Sequence, residues 1–348
     1  MKIYDKILGL VLIFCFLAAG SLWAGEKLYV HNWTEYLPDE LIAQFEEETG
    51  IDVIYTTFES NEELYAEIKD KKKKYDLIFP STHYLDKMHR EGLLRKINKK
   101  KVPGIKNIDP MLLNSPYDPK NKYSIPYLWG TTGIGVNSEM MNPATLTSFS
   151  DFWKPKFKGK VMLTDDMREV FAMALRVLGY SGNTRNESEI VAAYAKLLDL
   201  MPNIHLFSSE SQRKILLSGK TPVGSLWNGE AYLAFEENPA IKFIYPSEGA
   251  IIWMDSMVIP KNAANVKGAY KFMEFLLRPE VAKKICEEVG YATPNIAAKA
   301  LLPAEIINNT TVFAPPDVFS KGEIQVDVGD ALPIYQHYWK LLKTEPES

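Results

Sequence analysis

Three apolar runs lie close together near the start of the chain: KLYVHN (27–32), VIYTT (53–57) and YDLIFP (75–80). Their length and their β-branched and aromatic residues are typical of short buried strands. A helical pattern follows each run, over Pro38 to Thr49, Glu62 to Lys69 and Tyr84 to Arg90. Pro38 suits the first turn of a helix, and Gly50 suits its end. The alternation predicts a βαβαβ unit and therefore an α/β fold with an open sheet.

A second α/β pattern follows further along the chain. An extended segment over Ile125 to Asn137 is predicted to leave the first unit, and another over Ile251 to Pro260 to lead back to it. Between them lie two helical and two strand patterns, Thr164 to Tyr180, Ile190 to Met201, Val223 to Trp227 and Ile241 to Tyr245. A helical hairpin over Val266 to Val289, broken at Pro279, completes the return. Two lobes joined by such crossovers predict a hinge and a cleft that closes around a ligand.

Length, composition and charge indicate a globular protein with a large core and do not favour nucleic acid as a partner. The 348 residues suggest about two domains. A content of 46% apolar and 12% aromatic residues is that of a chain with a large buried core. The formal net charge of -4 provides no overall basic field for a phosphate backbone, so nucleic acid is not an expected partner. The run Lys71 to Lys74 is interpreted as a solvated cap between a helix and a strand.

Residues 1–24 have the pattern of an export signal. A basic start precedes an apolar stretch from Ile7 to Ala19 that is too short to span a bilayer. Cys15 lies where a bacterial lipoprotein carries its acylated cysteine, but Phe14 stands where that signal usually has a small residue. Two alternatives stay open: an exported periplasmic protein cleaved near Ala24, or one anchored to the membrane through an acylated Cys15.

The sequence lacks the common catalytic and metal-binding signatures. It has no HExxH, CxxC, GxSxG or GxxxxGK[ST] motif, and its five histidines have no metal-ligand spacing. Cys286 lies in a helical pattern and is predicted to be a buried thiol. We therefore expect a binding protein without a metal or cofactor rather than an enzyme. A hydrolase that uses a pair of carboxylates is the alternative.

The segment Trp253-Met254-Asp255 is the most informative local feature. Side chains alternate along a strand, so Trp253 and Asp255 share one face of the predicted strand. A carboxylate among apolar neighbours is costly unless it is paired or hydrogen-bonded. Two interpretations stay open: a strand-end Asp that accepts backbone N–H bonds or a distant Arg, and an acid that binds a ligand cation.

Acids and aromatic residues also meet at two other places. Asp166 and Glu169 have the spacing of a helix capping box, but residues three apart also face the same way and could converge on one ammonium group. The turn Trp33-Thr34-Glu35-Tyr36 follows the first predicted strand and Ser81-Thr82-His83 follows the third, where open α/β sheets bind ligands. Ordinary cap and loop packing is the alternative for both. Acids with aromatic rings suit an elongated organic cation, because rings pack against methylenes while carboxylates bind the charged ends.

Ten motifs in order along the chain identify a family resemblance. They are NWTEY (32–36), TFESNEELYA (57–66), YDLIFPST (75–82), SIPYLWGTTGIGVN (124–137), LTDDMREVF (163–171), GYSGNT (179–184), WNG (227–229), WMDS (253–256), GYATPN (290–295) and QVDVG (325–329). With these motifs the chain resembles the spermidine/putrescine-binding proteins that serve bacterial polyamine ABC transporters. The resemblance implies an α/β fold of the periplasmic-binding-protein type. The predicted first lobe comprises residues 25–132 and 254–305, and the second comprises 133–253 and 306–348.

The resemblance further implies a receptor that captures putrescine or spermidine in the cleft and delivers it to a membrane ABC permease. The implied ligand-binding residues are Trp33, Thr34, Glu35, Tyr36, Ser81, His83, Asp166, Glu169, Ser209, Trp227, Trp253, Asp255, Tyr291 and Gln325. His83 departs from the family pattern, which has a tyrosine at this point, so the preference between the two polyamines stays open. A binding protein of the same fold for another organic cation is the alternative.

Overall fold

The structure, a computed structural model, describes residues 25–70, 72–210 and 212–344. The predicted export leader lies outside the described residues. Ten described strands form one sheet, and they are β1 Glu26–Trp33, β2 Ile51–Phe58, β3 Leu77–Ile78, β4 Ser124–Asn137, β5 Val161–Leu163, β6 Ile204–Phe207, β7 Val223–Trp227, β8 Ile241–Ile244, β9 Ile251–Val258 and β10 Glu323–Ile324. The described α-helices are α1 Asp39–Thr49, α2 Asn61–Lys69, α3 Thr82–Arg90, α4 Met167–Val177, α5 Glu187–Leu200, α6 Gln212–Leu217, α7 Asn228–Glu237, α8 Val266–Leu276, α9 Pro279–Val289, α10 Ile296–Lys299, α11 Ala304–Ile307, α12 Pro316–Lys321 and α13 Leu332–Thr344.

The predicted βαβαβ unit is confirmed. Strand β1 pairs in parallel with β2 on one side and with β3 on the other. Helix α1 begins after Pro38 and ends at Gly50, whose φ of 67° is the left-handed conformation that glycine adopts without strain. Strand β3 is shorter than the predicted 75–80. Pro80 has no N–H to donate to a neighbouring strand, and Ser81 already caps α3.

The second half of the chain corrects two expectations. The helix predicted from Thr164 begins only at Met167, because Asp166 caps it: the Asp166 carboxylate accepts a hydrogen bond from the Glu169 N–H at 3.0 Å. The elements that the sequence analysis did not predict here are strands β5, β6 and β10 and helices α6, α7, α10, α11, α12 and α13. Strand β5 has only three residues, and β6 is partly exposed along its length, so neither shows a clear strand pattern.

Two long strands connect two separate hydrophobic cores. Strands β4 and β9 pair in an antiparallel manner, and the sheet order is β2-β1-β3-β9-β4-β7-β5-β6. On these strands Leu128 and Trp253 pack in one core, whereas Ile134 and Ile251 pack in the other. Both strands therefore pass from one α/β lobe to the next, as a hinge between two lobes requires. The residues at which each lobe begins and ends stay a prediction.

Three further observations concern the described part of the chain. Cys286 is a buried free thiol, as its helical pattern predicts. Outside the leader and the few other residues left out, no helix combines the length and the apolar composition needed to cross a bilayer. The same ranges contain no cluster of three or more side chains suited to hold a metal ion.

Candidate ligand-binding cleft

A cavity of about 230 Å³ lies between the lobes, and all fourteen residues singled out from the sequence line it. The turns that follow β1 and β3 form one wall. The opposite wall comes from Asp166, which caps α4, and Trp227, which precedes α7. Strand β9 contributes Trp253 and Asp255. Strand ends and helix starts from distant parts of the chain thus meet at one cleft.

Asp255 is buried in the cleft and is held by two hydroxyl groups. The Tyr36 hydroxyl donates a hydrogen bond to Oδ2 at 2.7 Å, and the Ser81 hydroxyl donates to Oδ1 at 2.6 Å. Burial raises the pKa of Asp255 to about 7, although both hydrogen bonds act in the opposite direction. No cation of the described residues pairs with this carboxylate. Of the two interpretations of Asp255, the structure therefore favours an acid that a ligand cation would complete.

Asn61 supports Ser81 from behind. Its Nδ2 donates to the Ser81 hydroxyl at 3.1 Å, and its Oδ1 accepts the Ser81 N–H at 3.0 Å. The sequence analysis does not single out Asn61, which stands in the quoted motif TFESNEELYA. The cavity also has lining residues that no pattern indicated, namely Glu59, Asn61, Glu210, Arg213, Glu230, Leu233, Glu288 and Val289.

Asp166 and Glu169 have different roles in the structure. Asp166 is a helix cap, as its spacing suggests, but the Glu169 carboxylate does not complete a capping box. Glu169 is only 5% exposed, and its Oε2 has no hydrogen-bond partner among the described residues. Burial raises the pKa of Glu169, and the nearby charge of Asp166 raises it further. An unpaired buried carboxylate of this kind needs a cation or a proton.

Other polar atoms on the cavity wall also lack partners among the described residues. They are Nδ1 of His83, Oγ of Ser209, Nε1 of Trp253 and Nε2 of Gln325. Burial lowers the pKa of His83, and the positive charge of Arg168 lowers it further. His83 is therefore a neutral imidazole whose free nitrogen is available for a hydrogen bond. Buried polar groups are rarely left unpaired, so these atoms mark a place for a polar ligand or for water.

Aromatic rings form the walls between the acids. The indole of Trp33 donates to the Phe79 carbonyl at 2.9 Å, which fixes its orientation. Tyr291 lies against Tyr36 and Trp253, with ring centroids 5.5 and 5.1 Å apart. Gly229 makes this packing possible, because a Cβ there would lie 2.4 Å from the Tyr291 ring. The rings offer apolar faces that methylene groups can contact.

The cleft is strongly acidic. Its described lining includes eight carboxylates and one arginine, Arg213. Arg213 is engaged by Glu35 at 3.7 Å and Glu237 at 3.4 Å, so it is not free to bind a ligand carboxylate. Glu35 itself lies at the rim with a φ of 53°, a conformation that non-glycine residues seldom adopt. The electrostatic potential of such a lining favours a cationic ligand over an anionic one.

Arg168, the other arginine near the acidic clusters, is not among the residues that line the cavity. It is buried, and its guanidinium donates to the Val326 carbonyl at 3.1 Å and to Asn183 Oδ1 at 3.0 Å. Asn183 Oδ1 also accepts the N–H of Val326 at 2.9 Å. Arg168 therefore holds the backbone next to Gln325, a cleft residue, rather than a ligand.

Two α/β lobes, two shared hinge strands and a polar cleft between them define a solute-binding protein. Residues 40–314 match the bacterial extracellular solute-binding proteins, and the chain belongs to that family. Its members are transport proteins rather than enzymes, and they are exported from the cytoplasm.

Relatives with polyamine-binding names are similar over nearly the whole chain. The spermidine/putrescine-binding periplasmic protein of Salmonella typhimurium is 50% identical over 337 residues, which cover 94% of this chain and 97% of that protein. Spermidine/putrescine-binding periplasmic protein 1 of Haemophilus influenzae is 41% identical, covering 94% of this chain and 91% of that protein. A solved structure of the spermidine/putrescine ABC transporter substrate-binding protein PotD of Streptococcus pneumoniae has a TM-score of 0.75 and 37% identity, covering 90% and 99% of the two chains. The family resemblance found in the sequence is confirmed.

Proposed function

We propose that this protein is the receptor of a polyamine ABC transporter, which binds putrescine or spermidine in its cleft and delivers it to a membrane permease. One observation carries the proposal. Buried carboxylates stand at two places in one aromatic-lined cavity, Asp255 on β9 and Glu169 on α4, and neither forms an ion pair with a cation of the described residues. A slender molecule with an ammonium group at each end can form an ion pair with both carboxylates.

The proposed contacts divide into charge and shape. Asp255 accepts one ammonium group, and the hydroxyls of Tyr36 and Ser81 keep its oxygens oriented. Glu169, with its unpartnered Oε2, accepts the other. The aromatic rings pack along the methylene chain and exclude water, which strengthens the ion pairs. Because stripping water from an ammonium group is costly, several acids are required rather than one.

The walls of the cleft come from the two predicted lobes. The turns after β1 and β3 belong to the predicted first lobe, and α4 belongs to the second. A ligand that bridges them favours the closed arrangement about β4 and β9. Closure then distinguishes loaded from empty receptor for the permease. After export, the protein is either free in the periplasm or anchored through an acylated Cys15.

Isothermal titration calorimetry with putrescine and spermidine tests the proposal. We expect micromolar or tighter affinity, about 8 kcal/mol or more. The monoamine 1-aminobutane is the matched control, and it should bind at least about 100-fold more weakly because it leaves one acid unpaired. Absence of binding by both polyamines contradicts the proposal. Mass spectrometry of the recovered ligand should show it unchanged, whereas a hydrolase would release products.

A further inference from the structure

One edge of the first lobe lies opposite the cleft. Trp33 and Ser81 mark the carboxyl ends of β1 and β3, whereas Lys27 and Lys74 lie at the amino ends of these strands. The Asn265 side chain donates to the Lys27 carbonyl at 2.8 Å. Helix α8, which Asn265 caps, therefore begins at this edge as well.

Three more lysines reach the same edge, two of them from segments that flank β4 and β9. Lys261 follows the end of β9, and its N–H donates to the Leu93 carbonyl at 2.7 Å. Lys122 precedes β4, whose first residue pairs with the last residue of β9. The Lys122 carbonyl accepts the N–H of Ile97 at 2.7 Å, which brings Lys96 alongside. Together with one lysine of α8, these residues form the basic edge, defined as Lys27, Lys74, Lys96, Lys122, Lys261 and Lys267.

The lysines of the basic edge are exposed and are not held in ion pairs. All six are exposed. None of them forms an ion pair with a carboxylate of the described residues. The exposed run Lys99–Lys101 lies next to them, because the N–H of the preceding Asn98 donates to the Tyr270 hydroxyl on α8 at 2.8 Å. Two exposed acids, Glu26 and Asp52, stand at the start of β1 and β2.

One buried acid also lies at this edge, and it forms no ion pair with these lysines. Asp76 is buried, and its carboxylate accepts the backbone N–H groups of Tyr29, Ala264 and Asn265 at 2.6 to 3.0 Å. The chain as a whole has a net charge of -4, and eight of its carboxylates line the cleft. Charge is thus segregated, with acids at the cleft and lysines at the opposite edge.

The form of the basic edge points to an extended anionic surface rather than to a single ligand. The lysine ammonium is a point charge on a flexible side chain. It lacks the planar geometry with which an arginine guanidinium binds one anion through two parallel hydrogen bonds. Clusters of four to eight basic residues attract anionic bilayers. The start of β1 also lies here, so whatever part of residues 1–24 the exported protein keeps emerges at this edge. If acylated Cys15 is kept, residues 15–24 can extend at most about 35 Å.

We propose that the basic edge is a contact surface for an anionic phospholipid bilayer, on which the first lobe rests with the cleft held away from the lipid. This contact is independent of the ligand in the cleft. It keeps the receptor near the membrane between deliveries and presents the acidic cleft to cations in solution.

Vesicle co-sedimentation tests this proposal with exported protein of residues 25–348, which carries no acyl chain. Vesicles of phosphatidylcholine mixed with phosphatidylglycerol should retain the protein at about 0.05 M salt and release it at about 0.5 M, because salt screens exposed charges. Vesicles of phosphatidylcholine alone should not retain it. Absence of binding to the anionic vesicles at low salt overturns the proposal.

Two charge-matched variants locate the contact. The triple variant Lys96→Gln, Lys122→Gln and Lys261→Gln should bind anionic vesicles at least about tenfold more weakly. The control variant Lys220→Gln, Lys321→Gln and Lys340→Gln removes three exposed lysines elsewhere and should bind like the unmodified protein. An equal loss of vesicle binding in both variants overturns the proposal, because attraction between the overall charge of the protein and the anionic lipid would then explain the binding.

Two further measurements complete the test. Polyamine affinity should be the same in both variants, which shows that the cleft is intact. Inorganic phosphate should displace the protein from vesicles no better than chloride at equal ionic strength. Stronger displacement by phosphate assigns the edge to a free anion and contradicts a bilayer contact.

Discussion

At the scale of single residues, the environment of Asp255 decides what the cleft can bind. Tyr36 and Ser81 give it two hydroxyl donors, which orient the carboxylate without neutralising it. Burial disfavours the charge and raises the pKa of Asp255. A ligand ammonium group therefore offsets the free-energy cost of the buried Asp255 charge, which is already present in the folded protein without ligand.

Asp255→Asn tests this role. We expect polyamine affinity to fall by about 2 kcal/mol or more, close to 30-fold, because the amide keeps the shape but loses the charge. Calorimetry measures the affinity. Thermal unfolding should show a stability equal to or above that of the unmodified protein, since the buried charge is removed.

The exposed acid Asp317 provides the matched control. Asp317→Asn makes the same chemical change outside the cleft and should leave affinity unchanged. A comparable loss in both variants would mean that overall charge, rather than contact with Asp255, governs binding.

At the scale of elements, close backbone packing positions the aromatic walls. Helix α7 begins beside Tyr291, and Gly229 in its first turn leaves space for that ring. Buried Arg168 on α4 holds the segment next to Gln325 through the Val326 carbonyl. Gly229 and Arg168 therefore affect the shape of the cleft through the residues they position, without contact with a ligand.

Gly229→Ala should displace the Tyr291 ring. The added methyl group would lie 2.4 Å from the ring, so we expect weaker polyamine binding and a stability loss of about 1 to 3 kcal/mol. Gly159→Ala is the control, because Gly159 has a φ of 62° and open space around it. It should lose stability through backbone strain but keep its affinity. Unchanged binding by the Gly229 variant would contradict the packing argument.

Arg168→Lys should weaken binding through Gln325. Lysine cannot reproduce the separate guanidinium contacts with Val326 and Asn183, so the segment that holds Gln325 loses support. A double-mutant cycle with Gln325→Ala measures the coupling. If Arg168 acts through Gln325, its substitution should cost less affinity when Gln325 is already absent. If the losses of binding free energy in the two single variants simply add in the double variant, Arg168 does not act through Gln325.

At the scale of the whole molecule, the acidic cleft makes the empty protein bind protons. The pKa of Asp255 is about 7 in the folded protein against an ordinary value of 3.8, and burial also raises the pKa values of Asp166 and Glu169. At a pH between the ordinary pKa and the folded-state pKa of Asp255, the folded state binds more protons than the unfolded state. The contribution of Asp255 to the free energy of unfolding therefore falls as pH rises from about 4 to about 7.

Ligand binding should show the opposite dependence on pH. A polyamine requires ionised carboxylates, so its affinity should rise from pH 5 to about pH 8 as protons leave Asp255 and Glu169. Calorimetry in buffers of different ionisation enthalpy should detect proton release on binding below about pH 7. The Asp255→Asn variant should release fewer protons. An affinity that is flat with pH would contradict the raised pKa values.

Local patterns in the sequence were enough to predict the βαβαβ unit, the two crossover strands, the two-lobe fold and ten of the fourteen cleft candidates. The family resemblance supplied the other four, Ser209, Trp227, Tyr291 and Gln325. Hydrophobic period, proline and glycine act over a few residues, and the order of motifs identified the family. Helices α7 and α13 were not predicted, although they have 10 and 13 residues. Strand β5 has too few residues to show a period, and Pro80 limits β3 through pairing rather than pattern. Asn61, Arg213 and Gly229 escaped it as contributors to the cleft, because each acts through a partner far along the chain.

The sequence by itself determined which residues carry charge, rings and turns, since these properties are local and chemical. Only the tertiary structure decided which of them meet. Tyr36 and Ser81 reach Asp255 from 219 and 174 residues away, and Arg168 turns inward while Arg213 lines the cleft. Burial and its effect on a carboxylate depend on every element packed around it, and no short stretch of sequence contains that information.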